Sequence, residues 1–283
     1  MNITPQDFDF VRKLVCDQAG IILDPGKEYL VESRLVPLVK QRGLASLELL
    51  VADLRRADLN LRRNVVEALT TNETTFFRDS APFENLRKHI VPELMASRAA
   101  TRKLRFWYGA SSTGQEPYSV VMLLQEHFPE LSTWDVTHYA TDLNLEVLQR
   151  ARDGKYNQTE INRGLPIAYL LKYFDQHGLE WTLKPAIRSR VTFEPINLVK
   201  PWPALPAFDV VMLRNVMIYF DVESKKQILG KIRRLMQPDG FLFLGGAEST
   251  MGLDDGFVRA QFERSSCYRR TEPSVAMAVK GAA

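Results

Sequence analysis

Only two cysteines, Cys16 and Cys267, occur in 283 residues, which removes both a disulfide framework and a cysteine-rich metal site. The four histidines, His89, His127, His138 and His177, are scattered without ligand spacing, so packed or surface imidazoles are the simpler account and no metal is expected. No apolar run approaches the roughly 18 residues of a spanning helix. The opening Met-Asn-Ile-Thr-Pro-Gln-Asp also lacks a basic segment leading into an apolar run, so neither membrane insertion nor secretion is expected and the location is expected to be cytoplasmic. A formal net charge of +3 is too small to mark a nucleic-acid binder unless its basic residues cluster. The glycine spacing G-x-G-x-x-G is missing as well, which argues against a dinucleotide pyrophosphate.

What is present is the patterning of a folded, two-part chain. Leu104-Arg-Phe-Trp-Tyr-Gly-Ala-Ser-Ser-Thr-Gly-Gln-Glu-Pro-Tyr-Ser-Val-Val-Met-Leu-Leu124 begins as a short apolar strand and breaks at Gly109. Small residues run to Gly114, and Pro117 then falls where the first turn of a helix tolerates it. Strand, small-residue loop and helix N-terminus form the first unit of a doubly wound sheet, offering a ligand backbone N–H groups and a partly positive helix end. Gly114 is expected to let the backbone approach that ligand. Glu116 sits where a pyrophosphate would lie, so a hydroxyl-bearing or cationic ligand suits the loop better. A generic βα turn accounts for this segment alone equally well.

The first quarter has helical signals only. Thr4-Pro5 reads as a cap and a first-turn proline, with Phe8, Val11, Leu14 and Val15 on one face and Gly20 as the stop. Further helices are expected from Lys27 to Arg42, after Ser46, and from Asn60 to about Thr70. Arg34, Lys40, Arg42, Arg55, Arg56, Arg62 and Arg63 are either solvated faces with local partners, the simpler account, or a docking surface for an acidic partner. Thr70-Thr-Asn-Glu-Thr-Thr-Phe-Phe-Arg-Asp79 follows, either a polar turn plugged by Phe76 and Phe77 or a ligand-facing segment presenting Asn72, Thr74 and Arg78. Ser80 is expected to cap a connecting helix with Phe83, Leu86, Ile90 and Leu94 on its apolar face.

Beyond the opening strand, Asp135 to Asp142 reads as a second strand ending in an acid, and Asn144 opens a helix. Asp142 is either an N-cap or the ribose-hydroxyl acceptor that doubly wound folds place there. Residues 154–190 break the rhythm and read as an inserted subdomain with a small antiparallel element. The sheet resumes at Val191–Leu198 and Phe208–Arg214, followed by a helix over Val222–Met236, a tight turn at Pro238-Asp-Gly240, and a strand over Phe241–Gly245. Phe257–Phe262 and Ser266–Arg270 alternate as a terminal antiparallel hairpin. The expected architecture is therefore α/β: an all-α domain over 1–76, a connecting segment over 77–103, a doubly wound, mostly parallel Rossmann-like sheet domain over 104–270, and a disordered tail over 271–283.

Five segments in register resemble the chemotaxis receptor methyltransferase family: Thr70–Arg78, Ser112-Thr-Gly-Gln-Glu-Pro-Tyr118, Ala140-Thr-Asp142, Arg214-Asn-Val-Met-Ile-Tyr-Phe220 and Phe243-Leu-Gly245. The resemblance spans roughly residues 5 to 270 and implies S-adenosylmethionine as cofactor, S-adenosylhomocysteine as product, and glutamyl methyl esters on the cytoplasmic domains of chemoreceptors. It implies Asn72, Thr74 and Arg78 at the cofactor's amino-acid end with Glu116, Asp142 at the ribose, and Asn197 and Leu198 at the adenine. Arg214 and Asn215 would close the site, and Tyr219 would stand beside the methyl group. Two departures bear on this: Gly109 replaces the usual start of the loop and is expected to loosen it, and the insert around Tyr173–Trp181 looks short for docking a receptor's C-terminal peptide. A monomer acting without that tether is expected. The alternatives are a non-enzymatic cofactor-binding adaptor and a methyltransferase for another substrate.

Overall fold

The computed structural model describes residues 3–56, 58–260, 262 and 266–271. Four helices come first: α1 (Pro5–Ala19), α2 (Glu28–Gln41), α3 (Leu47–Arg55) and α4 (Leu59–Leu69). Thr4 Oγ1 accepts from Asp7 N–H at 3.2 Å, and Gly20 closes α1 in the left-handed region at φ 70°. The fourth helix starts earlier than Asn60, because the Asp58 carboxylate accepts from both Asn60 and Leu61 N–H and so supplies the cap. Val11, Val15, Val31, Leu35, Leu50, Val51, Leu61 and Val65 are fully buried between these helices. Arg34 donates to Leu69 and Thr70 carbonyls, and Arg42, Arg55 and Arg56 pair with Asp58, Asp7 and Asp53. Of these only Arg56–Asp53 is close in sequence, so these arginines are taken up mostly by partners across the domain rather than by i,i+4 neighbours.

The connecting segment winds as α5 (Ala81–Asn85), a π turn over Leu86–Ile90 and α6 (Val91–Ser97). The Ser80 side chain makes no cap bond there. The sheet domain runs β1 (Lys103–Gly109), α7 (Gln115–His127), a 3-10 turn (Pro129–Thr133), β2 (Asp135–Asp142) and α8 (Leu145–Asp153). The insert holds β3 (Lys155–Asn157), α9 (Gln158–Asn162), α10 (Ile167–Tyr173), β4 (Phe174–His177), β5 (Glu180–Leu183) and α11 (Pro185–Arg188). Then come β6 (Val191–Pro195), β7 (Phe208–Leu213), a 3-10 turn (Met217–Tyr219), α12 (Val222–Leu235), β8 (Met236–Leu244), β9 (Phe257–Arg259) and β10 (Cys267–Arg270).

The main sheet has the order β6-β2-β1-β7-β8-β10-β9, and the insert forms its own sheet, β3-β5-β4. Pairings among β6, β2, β1, β7 and β8 are parallel, while β10 runs antiparallel between β8 and β9. The β7 strand, buried at all six positions, reads as a continuous apolar run for that reason. Strand order reverses between β1 and β7, and a doubly wound sheet opens its ligand crevice at such a point. At the opposite end of the strands, Arg98 grips Asp209 at 2.9 Å and Asp239 through two nitrogens, while Asp209 also accepts from Arg105 N–H. That network ties together the starts of β1, β7 and β8.

Pro238-Asp239-Gly240 is not a turn. It lies inside β8, where the pairing with β7 shifts register between Phe208 and Val210. Gly240 is closely packed at this bulge, where an added Cβ would lie 3.0 Å from the Gln237 carbonyl oxygen and 3.1 Å from that of Asp209. The tail expected past Thr271 lies outside the described residues. Among the described residues no helix is long and apolar enough to cross a membrane, and no group of histidine, cysteine and acidic side chains could hold a metal ion.

Candidate active site

A cavity of about 900 Å³, counted to its solvent-open mouth, lies over the carboxyl ends of β1, β2, β6 and β7. Asn72, Thr74, Arg78, Glu116, Asp142, Asn197, Leu198, Arg214, Asn215 and Tyr219 all line it. Glu116, Asp142, Asn197, Leu198, Arg214, Asn215 and Tyr219 come together because they end or follow parallel strands at the same edge of the sheet, while Asn72, Thr74 and Arg78 reach the cavity from the segment that precedes α5.

The β1–α7 loop is a run of left-handed residues: Ala110 at φ 54°, Ser112 at 50° and Gly114 at 89°. Side chains rarely adopt that region, so the loop is held by its bonds. Ser111 N–H donates to the Thr141 carbonyl at 2.9 Å, Ser112 N–H to Asp142 at 2.8 Å, and Ser112 Oγ to the Asn72 carbonyl at 2.7 Å. Gly109 therefore does not loosen the turn. It ends β1 against Leu213, whose Cδ1 would lie 2.7 Å from a Cβ at that position. Gly114 is needed for a different reason than ligand approach: a Cβ there would meet Ala151, Tyr118 and Phe193 at 3.0–3.2 Å.

Asp142 is not the cap of α8, because Asn144 fills that role by accepting from Glu146 and Val147 N–H. Its carboxylate instead accepts from Ser112 N–H and, at 2.9 Å, from Asn144 N–H. Burial raises its pKa, against the lowering effect of those N–H groups. A carboxylate held this way has fixed position and lone pairs left to accept from a pair of hydroxyls.

Arg214 is the electrostatic centre of the wall. Its side chain, 2% exposed, donates to Glu116 at 2.5 Å, to the Arg78 carbonyl at 2.9 Å and to Asp79 at 2.9 Å. The loop carrying Arg78 and Asp79 and the first turn of α7 are thereby fixed to the end of β7. Its Nε, like Ser111 Oγ, is buried without a hydrogen-bond partner among the described residues. Buried polar atoms are ordinarily paired, and both of these belong to residues that line the cavity.

At the other end, Asn197 is spent on structure. Its Nδ2 donates to the Gln18 carbonyl at 2.8 Å and its Oδ1 accepts from Val199 N–H. Ile21, Ile196 and Leu198 provide an apolar wall suited to a flat base. The α1 domain takes part directly: Ala19 and Ile21 line the cavity, and Ile22 N–H donates to the Tyr219 carbonyl at 2.9 Å.

Glu248 had no place in the sequence reading. It is buried, and its carboxylate accepts from Asn215, Ile218 and Gly245 N–H, which sets Asn215 in its left-handed conformation at φ 59°. A Cβ on Gly245 would come within 2.7 Å of both Asn215 Nδ2 and Glu248 Oε2. Asp142 ends its strand, whereas Glu248 lies past the end of β8, so the signal that picks out Asp142 does not reach it. Asp79 also went unread, and the contact of Ile21 with Phe220 has no local signal at all.

S-adenosylmethionine fits these features: a fixed acid for a ribose diol, an apolar wall for adenine, and buried unpartnered donors and acceptors at the amino-acid end. Residues 72–265 match the family described as CheR methyltransferase, SAM binding domain, and residues 6–70 match CheR methyltransferase, all-alpha domain. The chain is 41% identical over 274 residues to chemotaxis protein methyltransferase 1 of Pseudomonas aeruginosa, covering 95% of this chain and 99% of that protein. It is 40% identical over 269 residues to chemotaxis protein methyltransferase Cher2 of Pseudomonas putida, covering 93% and 97%. Chemotaxis protein methyltransferase 1 of Vibrio cholerae is 38% identical over 275 residues, covering 95% and 98%. Fold and site thus define a methyltransferase that uses S-adenosylmethionine. More narrowly, the chain belongs to the CheR methyltransferase family.

Proposed function

We propose that the protein methylates glutamate side chains on the cytoplasmic domains of chemoreceptors. The carrying observation is the state of the cavity's acids: Glu116 is engaged by Arg214, Glu73 by Arg163 at 2.6 Å, and Asp142 by two backbone N–H groups. No described carboxylate lining the cavity is left free to act as a base. A glutamate needs none, since its pKa of about 4.3 leaves it ionised at neutral pH. When bound, S-adenosylmethionine supplies a methyl group on a positive sulfur. Attack by a carboxylate neutralises that charge, so a free protein anion beside the methyl would stabilise the ground state more than the transition state. The site's work is alignment and exclusion of water.

In this reading Asn72, Thr74 and Arg78 take the amino-acid end, Asp142 the ribose hydroxyls, and Leu198 with the Asn197 backbone the adenine. Arg214 and Asn215 close the site, and the half-buried Tyr219 orients the incoming carboxylate with an uncharged hydroxyl. The names of the curated relatives, chemotaxis protein methyltransferases, support the substrate assignment. Incubation with methyl-labelled S-adenosylmethionine and receptor-containing membranes should give base-labile methyl ester on receptor glutamates. Cofactor binding with no ester on any receptor would favour the adaptor reading. A receptor C-terminal peptide added in the same assay should leave the rate unchanged, because no tether is used.

Two variants divide binding from chemistry. Asp142→Ala is expected to weaken S-adenosylhomocysteine binding by ~1–3 kcal/mol through loss of hydrogen bonds to a charged acceptor. Unchanged affinity by calorimetry would show that the ribose lies elsewhere. Tyr219→Phe is expected to lower kcat about tenfold, the worth of one positioning hydrogen bond, with little change in cofactor affinity. A tyrosine that only packs would leave kcat where it is.

A further inference from the structure

We propose that a second cavity, between α7 and β2, is a binding site for a small apolar molecule carrying one carboxylate. It holds about 920 Å³, counted to its open mouth, and shares no lining residue with the cofactor cavity. Leu124, Phe128 and Val136 form its apolar walls, His138 lies on its floor, and Lys172 and Arg190 stand at its rim.

The floor carries a donor. His138 is 4% exposed, stacked on Phe106 with ring centroids 5.0 Å apart, and its Nδ1 lies 2.8 Å from the Tyr108 hydroxyl. Burial lowers the pKa of His138 to about 3 and raises that of Tyr108, so the imidazole is neutral and the phenol keeps its proton. Tyr108 has no other hydrogen-bond partner for its hydroxyl among the described residues, so that proton goes to Nδ1. The imidazole's own proton then belongs on Nε2, on the part of the ring not committed to Tyr108. The rim carries the charge. Lys172 is held by Glu126 at 2.6 Å, whereas the exposed Arg190 has no carboxylate partner among the described residues. Arg190 lies near enough to His138 for its charge to act on the ring, so one carboxylate meets Nε2–H and the guanidinium together while an aromatic or branched body lies on Leu124, Phe128 and Val136. An amine would meet like charge at the rim, and a hydrocarbon would leave Nε2–H unpaired.

The test uses the full chain saturated with S-adenosylhomocysteine, so that no probe enters the cofactor cavity. Benzoate, phenylacetate, 4-phenylbutyrate and octanoate, each with its matched neutral alcohol, are titrated by NMR with the histidine ring nitrogens labelled. At least one carboxylate should bind saturably and shift the His138 Nε2 resonance, with its alcohol about tenfold weaker for want of the charged partner. Arg190→Ala, a surface change, should remove most of that preference, and Leu124→Trp, which fills the cavity, should abolish binding. The proposal is overturned if no acid saturates by about 10 mM, a limit near 3 kcal/mol of binding energy. Equal binding of acid and alcohol, or acid binding that survives both variants, would overturn it as well.

Discussion

Replacing Arg214 with methionine is expected to lower stability by about 3 kcal/mol and methyl transfer by about a hundredfold or more. The side chain is 2% exposed, and its loss strips the partner from Glu116, which is 13% exposed, and the donor from the Arg78 carbonyl. Asp79, 59% exposed, simply returns to water, so the cost sits below the upper range for a broken buried pair. The consequence for chemistry follows from charge. Once freed, Glu116 becomes an unpaired anion in the cavity, attracted to a sulfonium more than to the neutral thioether of the product. Binding should therefore shift toward S-adenosylmethionine over S-adenosylhomocysteine even as turnover collapses, because ground-state attraction does not lower the barrier. Arg214→Lys should recover part of the stability but not the three-point geometry, since an ammonium lacks the planar fork. Thermal melts and single-turnover kinetics on the three proteins decide this. A methionine variant with wild-type melting and turnover would mean that Arg214 is a spectator.

What could be read beforehand followed from locality. Helix ends announced themselves where a cap and a stop sit beside the apolar face, as at Thr4 and Gly20, and Asn144 capped α8 as a local rule predicts. The strands of the parallel core were visible because burial on both faces leaves an unbroken apolar run, as in Phe208–Leu213. Asp142 stood out as an acid at a strand's end, and loops sharing one end of the sheet bring it to one cavity with Glu116, Asn197, Leu198, Arg214, Asn215 and Tyr219. The failures have a common cause in long-range geometry. A proline-aspartate-glycine run looks like a turn, and only its pairing with β7 shows it as a bulge within β8. Gly114 looks like a ligand contact until Ala151, Tyr118 and Phe193 close over it. Glu248 supports Asn215 from 33 residues away, and nothing near either residue says so. Ile21 joins the site through a single bridge to Phe220 across the two parts of the chain.

Acid is expected to destabilise the protein through His138, and the sign is set by its burial. The folded-state pKa is about 3, lowered first by burial and then by the nearby charge of Arg190. An unfolded histidine titrates near 6.5, so between these values the unfolded chain binds the extra proton and folding weakens as pH falls. From pH 7 to pH 4 this residue alone removes about 3 kcal/mol, at 1.36 kcal/mol per unit below 6.5. Asp142 and Glu67 work the other way: burial raises both, so each is protonated more readily in the folded state and gains stability on acidification. The total pH profile therefore mixes opposing slopes, and only a difference isolates the imidazole. His138→Gln keeps an acceptor for the Tyr108 hydroxyl, in place of Nδ1 at 2.8 Å, but cannot take a proton. Urea unfolding of both proteins across this range should show the wild type losing about 3 kcal/mol relative to the variant, nearly all of it below pH 6.5. Parallel curves would mean that the ring takes its proton as easily folded as unfolded. Water in the second cavity would then solvate the ring through Nε2, and the burial that lowers its pKa would be wrong.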